Sequence, residues 1–136
     1  MSNHWLLKTE PTTYSFQQLQ KEGQTTWDGV RNNLALMHLR GMRVGDRVLI
    51  YHTGSEKAVV GQAKVVRAAY PDPKGEDPRQ VVVDLVPEKS LAHPVPLAAI
   101  KAEPELKDMA LVRQGRLSVM PVTPAQWKVL VGMGGA

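Results

Sequence analysis

Val48-Leu49-Ile50-Tyr51, Thr53-Gly54-Ser55-Glu56 and Val59-Val60-Gly61-Gln62-Ala63-Lys64-Val65-Val66 read in succession as strand, loop and returning strand. The two apolar runs are rich in β-branched residues, and the loop between them is polar and carries a glycine. Gly61 within the second run predicts a bulge, or a point where another backbone or a ligand comes close. A hairpin of this kind in the middle of the chain makes a sheet its organising element.

Working outward, His4 to Lys8 is a short apolar run that predicts a buried strand, stopped by Thr9-Glu10-Pro11. Ser15 and Gln18 have capping-box spacing, so a helix should run to about Lys21 and end at Gly23. Leu34, Met37, His38 and Leu39 fall near helical spacing, which predicts a second helix from about Asn32 to Arg40, stopped by Gly41. Beyond the hairpin, Tyr70-Pro71-Asp72-Pro73-Lys74-Gly75 has the composition of an exposed loop. Val81 to Val86 is a further strand, Pro94 and Pro96 break the chain, and Leu97 to Ile100 is a short turn. Leu117 to Val122 is a last strand. Thr123, Pro124 and Gln126 then supply N-cap, N1 and N3 of a helix through Val131, ended by Gly132. The expected organisation is one domain over residues 1–133 with a frayed tail at 134–136. The strands look mostly antiparallel, and their spacing is too irregular for a sandwich. An α+β fold follows: a small, partly open β-barrel decorated by short helices.

The 136 residues are 43% hydrophobic and 22% charged, an ordinary globular composition. No window approaches the ~18 consecutive apolar residues of a membrane span. The start of the chain lacks a basic segment followed by an apolar core, so no secretory signal and a cytoplasmic location are expected. Cysteine is absent, which removes disulfides, thiolate metal sites and a Cys nucleophile. The net charge of +4 is compatible with a polyanionic partner.

Trp27-Asp28-Gly29-Val30-Arg31-Asn32 concentrates the chemistry. An indole offers a flat stacking surface, Asp-Gly is a turn signal, and Arg and Asn follow at a helix entrance. Together they make a polar-rimmed slot for a flat ligand. The bland alternative is a core Trp beside a helix cap, with Asp28 capping the Asn32 helix.

Other chemistries find no support. His4, His38, His52 and His93 lack the close pairing of a zinc site. The Gly-rich phosphate cradles and the G-x-S-x-G elbow are missing. No metal and no cofactor is expected. His52 reads as a satisfied strand-end histidine rather than a base, and Trp5, opening an apolar strand, as core.

His4-Trp5-Leu6-Leu7-Lys8-Thr9-Glu10-Pro11 and Trp27-Asp28-Gly29-Val30-Arg31-Asn32 resemble two motifs of the EVE domain, the domain of the thymocyte nuclear protein family. Tyr51-His52-Thr53, Gly61, Ala69-Tyr70-Pro71-Asp72 and Arg116-Leu117-Ser118-Val119-Met120-Pro121 agree in order and approximate spacing. The resemblance covers nearly the whole chain. It implies a PUA-like fold, a mixed β-pseudobarrel with peripheral helices, related to YTH and ASCH domains. It also implies a reader of a modified base, a cytosine or adenine in DNA or RNA; with no catalytic motif in the sequence no enzymatic activity is expected, and a monomer is favoured. The segment Lys8-Thr9-Glu10 is then expected to offer polar contacts, with Trp27 as one cage wall and Tyr70 with Pro71 as the second. Asp28, Arg31, Asn32 and His52 join the expected ligand-binding set, and Ser55, Leu117 and Ser118 complete its floor. Lys8, Arg31, Arg113 and Arg116 are expected to meet backbone phosphates.

Each polar residue has a structural alternative. Glu10 pairs with Lys8 or Arg31 in one reading, and Arg116 holds a turn. Two functional alternatives remain: an ASCH-like hydrolase of a modified nucleoside using Lys8, Thr9 and Glu10, or a small-molecule binding domain.

Overall fold

A computed structural model describes residues 3–75 and 77–135. Six strands form one mixed sheet in the order β2-β5-β4-β3-β1-β6. They are β1 (His4–Thr9), β2 (Thr25–Trp27), β3 (Arg47–His52), β4 (Ala58–Pro71), β5 (Val81–Pro96) and β6 (Val119–Val122). Five helices decorate it: α1 (Phe16–Glu22), α2 (Asn33–Gly41), α3 (Leu97–Ala102), α4 (Ala110–Arg113) and α5 (Pro124–Met133). The α+β class follows, with β4 and β5 as the long curved elements.

Parallel pairing of β1 with β3 is the topological key. A parallel neighbour demands a crossover, and α1, β2 and α2 supply it. Every other pair is antiparallel. The register of β4 against β5 shifts at four places, beginning between Val59 and Gly61. Such irregularities bend a strand and increase its twist, which curls the sheet around its core. Gly61 serves a close approach as well. A Cβ there would stand 2.3 Å from Cε2 of Phe16, so the α1 ring packs directly on the strand backbone.

The expected caps at Ser15 and Thr123 form as read, and Asn32, expected as the first residue of its helix, caps it instead. Ser15 accepts from Gln18 N at the start of α1, Asn32 accepts from Ala35 N at α2, and Thr123 and Gln126 close a capping box on α5. Trp5 is buried, and its Nε1 donates to Asp46 at 2.9 Å. Asp46 is 2% exposed and accepts also from the backbone N–H of Asn3 and Arg43, at 3.0 and 2.9 Å.

Several elements differ from expectation, and β2 and α4 form where neither was expected. Tyr70 and Pro71 end β4 rather than opening a loop. β5 continues through Pro94 to Pro96. It does so because its second neighbour, β2, pairs only with Val83–Leu85, so farther along one edge of β5 has no ladder to lose. Residues 97–102 form a helix instead of a turn. Gly132 lies inside α5, and Gly134 is buried against Leu91 with its carbonyl accepting from His93 N, so residue 134 is packed. Of the expected frayed tail, Ala136 lies outside the described residues. No helix among the described residues is long and apolar enough to cross a membrane.

Candidate functional site

The C-terminal end of β1, the segment before α1, the end of α1, β2 and the turn after β2 converge on one cleft of about 610 Å³. Four other hollows of the surface are 210–290 Å³. The cleft is within the size range of ligand sites. Lys8, Thr9 and Glu10 line one side, Trp27, Asp28 and Arg31 another, and Ser118 reaches in ahead of β6. Seven of the residues singled out in the sequence therefore meet here.

Local sequence explains how. Trp27 is the last residue of β2, opposite Val83 of β5, and is 8% exposed. Its ring is anchored in the core with one border in the cleft. Gly29 has φ +77°, a left-handed conformation open to glycine, and turns the chain so that Asp28 and Arg31 stand exposed at the rim. Backbone bonds lock the β1 side: Lys8 N donates to Ser118 O at 2.9 Å, and Thr9 Oγ1 donates to Tyr14 O at 2.7 Å.

The second aromatic wall is Tyr14. Its ring meets Trp27 edge-on, with centroids 6.1 Å apart and an interplanar angle of 87°. Tyr14 Oη donates to Glu22 Oε1 at 2.6 Å. Burial, then the Glu22 carboxylate, push the Tyr14 phenol up. The same bond, then one from Gln18, hold Glu22 below the usual carboxylate range. Thr13, Glu22, Thr25 and Thr26 also line the cleft. Sequence reasoning passed over Tyr14, whose one signal was an aromatic placed immediately before the Ser15 cap.

Lys8 and Glu10 share the cleft but are separately engaged. Lys8 Nζ donates to Gly115 O at 2.8 Å and stands 5.7 Å from the Tyr51 ring centroid. Burial lowers its pKa. Glu10 accepts from Thr12 N, Thr12 Oγ1 and Thr53 Oγ1 at 3.3, 3.1 and 3.2 Å, rather than pairing with Lys8 or Arg31. The backbone bond from Thr12 leads in keeping its carboxyl below the ordinary range.

The remaining expected residues lie elsewhere. Tyr70 does not form a wall: its hydroxyl donates to Asp84 at 2.6 Å and the Arg67 guanidinium stacks 3.7 Å from its ring centroid. It stands behind Thr26, within 3.5 Å of that hydroxyl. Pro71 is exposed at the end of β4. His52 is buried: Nε2 accepts from Phe16 N and Nδ1 faces Glu56, both at 2.9 Å. It orients α1 rather than a ligand. Ser55 is exposed in the β3–β4 loop. Asn32 caps α2, not Asp28, and lines a separate hollow of about 290 Å³ with Arg116 and the buried Leu117. Arg113 is occupied by Asp108 at 3.1 Å and by Lys107 O at 3.0 Å. Among the described residues no group of three or more His, Asp or Glu is arranged to hold a metal ion.

The sequence model of the EVE domain matches residues 3–133. The chain belongs to the EVE domain family. Human thymocyte nuclear protein 1 is 29% identical to this EVE chain over 167 aligned positions, covering 98% of the chain and 74% of the human protein. A Rhodopseudomonas palustris protein solved by NMR is 47% identical, with TM-score 0.93, covering 98% of this chain and 93% of that one. Human THYN1, solved in complex with 5-methylcytosine containing DNA, is 28% identical with TM-score 0.90 and covers 99% of both chains. An ASCH protein of Zymomonas mobilis, 13% identical with TM-score 0.61 and covering 96% of this chain and 94% of that one, shares the fold.

Proposed function

We propose that this EVE domain binds nucleic acid and holds one modified base, everted from its strand, in the cleft at Trp27. The single observation that carries the reading is the Trp27–Tyr14 corner, an aromatic angle inside a cleft whose remaining walls are mostly polar. An everted base brings a π-face and a hydrogen-bonding edge. The corner takes the face, at about 1–3 kcal/mol for stacking. Thr9, Thr25, Thr26, Ser118 and the carboxylates of Glu10 and Asp28 supply partners for the edge. A relative solved with 5-methylcytosine containing DNA supports a methylated cytosine as the first base to test.

The domain acts by binding. Lys8 and Glu10 are held by Gly115 and by Thr12 and Thr53, so neither addresses the other as an acid–base pair. Titration with oligonucleotides bearing cytosine or 5-methylcytosine tests the reading, with Trp27→Ala checked for folding by circular dichroism. Preference for the methylated strand, lost in folded Trp27→Ala, is the expected result. Equal affinity of a folded Trp27→Ala overturns the base site. Conversion of a modified nucleoside, followed by mass spectrometry and abolished in Lys8→Ala or Glu10→Gln, overturns the binding-only role. Tight uptake of a free nucleoside with no affinity for any strand points instead to a small-molecule site.

A further inference from the structure

Beside the base cleft, and sharing Lys8 with it, lies a smaller hollow of about 210 Å³. Lys8, Lys57 and Lys101 line it, over an apolar floor that includes Tyr51, Leu97 and Val112. No carboxylate is among its lining residues. The hollow on the opposite side of the cleft, at Asp28 and Arg31, mixes cations with the carboxylates of Asp28 and Asp72.

Three features make the lysine hollow a built arrangement. Lys57 has φ +46°, the one left-handed non-glycine among the described residues. Such a backbone persists where its surroundings hold it, and here Leu97 N donates to Lys57 O at 2.8 Å. That bond ties the residue before β4 to the first residue of α3, the helix that carries Lys101. No ion pair joins Lys8, Lys57 or Lys101 to a carboxylate among the described residues: Glu56 faces His52, and Glu10, bonded by Thr12 and Thr53, is held at the edge of the hollow. Finally, Lys8 Nζ is fixed at the border by Gly115 O, which also belongs to the hollow.

We infer that this hollow is a phosphate subsite, in which Lys57 and Lys101, with Lys8 at the border, take the backbone phosphate adjoining the everted nucleotide. The inference rests on the base reading of the cleft. It gives the bound strand a direction of travel, from the base cleft over Lys8 toward α3, and replaces Arg113 as an anchor. A phosphodiester fits the chemistry because ammonium groups lining one hollow can hold an anion through charge-assisted hydrogen bonds. The apolar floor suits the sugar on which that phosphate is carried.

The test uses the whole chain and a single-stranded oligonucleotide with one central 5-methylcytosine. Neutral methylphosphonate linkages are introduced one at a time on either side of that base. Wild-type protein should lose about tenfold in affinity at one linkage next to the base, the scale of a lost charge-assisted bond. Lys57→Gln/Lys101→Gln should weaken binding to the unmodified backbone by a similar factor and become insensitive to that one linkage. Its log–log salt slope should flatten by about 1. A variant that keeps wild-type affinity and slope, while Trp27→Ala loses binding, overturns the subsite and leaves the base cleft standing. A loss in the variant that is the same whichever linkage is neutral also overturns the subsite. Failure of wild type to bind any of the strands overturns both readings.

Discussion

Tyr14 stands edge-on to Trp27 at 87°, and its hydroxyl is bonded to Glu22 at 2.6 Å. One residue thus closes the aromatic corner and fastens it to the last turn of α1. An edge-to-face pair is worth about 0.5–1.5 kcal/mol beyond the area it buries. Tyr14→Leu should weaken binding of a 5-methylcytosine strand by a factor of a few to about tenfold, while Tyr14→Phe retains the corner. Equal affinities for the two variants, measured by fluorescence titration, would remove the ring from the site.

The same bond governs Glu22. Its carboxyl lies below the usual range because Tyr14 donates to the ionised form. A depressed carboxyl stabilises the fold above its unfolded pKa and loses that contribution as pH falls through the folded value. Tyr14→Phe should therefore move the Glu22 carboxyl upward. Carbon-detected NMR titration reads the shift, and an unmoved Glu22 contradicts the bond.

Two histidines work in the same direction. Burial leads in holding His4 and His38 below the ordinary imidazole range. The unfolded chain then binds more protons, so stability is fully present above about pH 6.5 and declines as pH falls below it. Melting temperatures of wild type and His38→Gln from pH 7.5 to 5 should converge toward the acid end. Parallel curves refute the linkage.

Gly61 leaves no room for a side chain, since a Cβ would stand 2.3–2.7 Å from three carbons of the buried Phe16 ring. Gly61→Ala should cost about 1–3 kcal/mol by overpacking. Gly61→Ala/Phe16→Leu should regain part of that loss, because the clash disappears. Urea unfolding of the two proteins decides it.

Asp46 gathers Trp5 Nε1 and two backbone N–H groups. Asp46→Ala leaves all three donors without this acceptor, at a cost of about 3 kcal/mol or more. Trp5→Phe removes one donor and leaves the other two bonds, so it should cost less. The opposite order in denaturant unfolding would show that ring packing outweighs the network.

Local signals were legible wherever neighbouring residues decide the conformation. Ser15 and Thr123 cap their helices by bonds to residues three positions on, so composition and spacing sufficed. The β3–β4 hairpin declared itself through two β-rich runs around a polar loop. The indole made Trp27 stand out and the family resemblance pointed to Lys8-Thr9-Glu10, but β1 and β2 are four places apart in the sheet, so only the folded chain brought strand end and turn into one cleft. Tertiary structure alone decided the rest. Pro94 and Pro96 do not end β5, because a missing N–H costs a ladder bond only where a neighbouring strand waits for it. Tyr14 and Tyr70 are indistinguishable by residue type. The fold put one beside Trp27 and bonded the other to Asp84 beneath Arg67. Lys57 and Lys101 are 44 positions apart and were brought to one hollow by the bond from Leu97 N to Lys57 O. Residue type sets what a side chain can do. Which partners it meets depends on contacts between segments distant in the chain, and those arise only when the sheet closes.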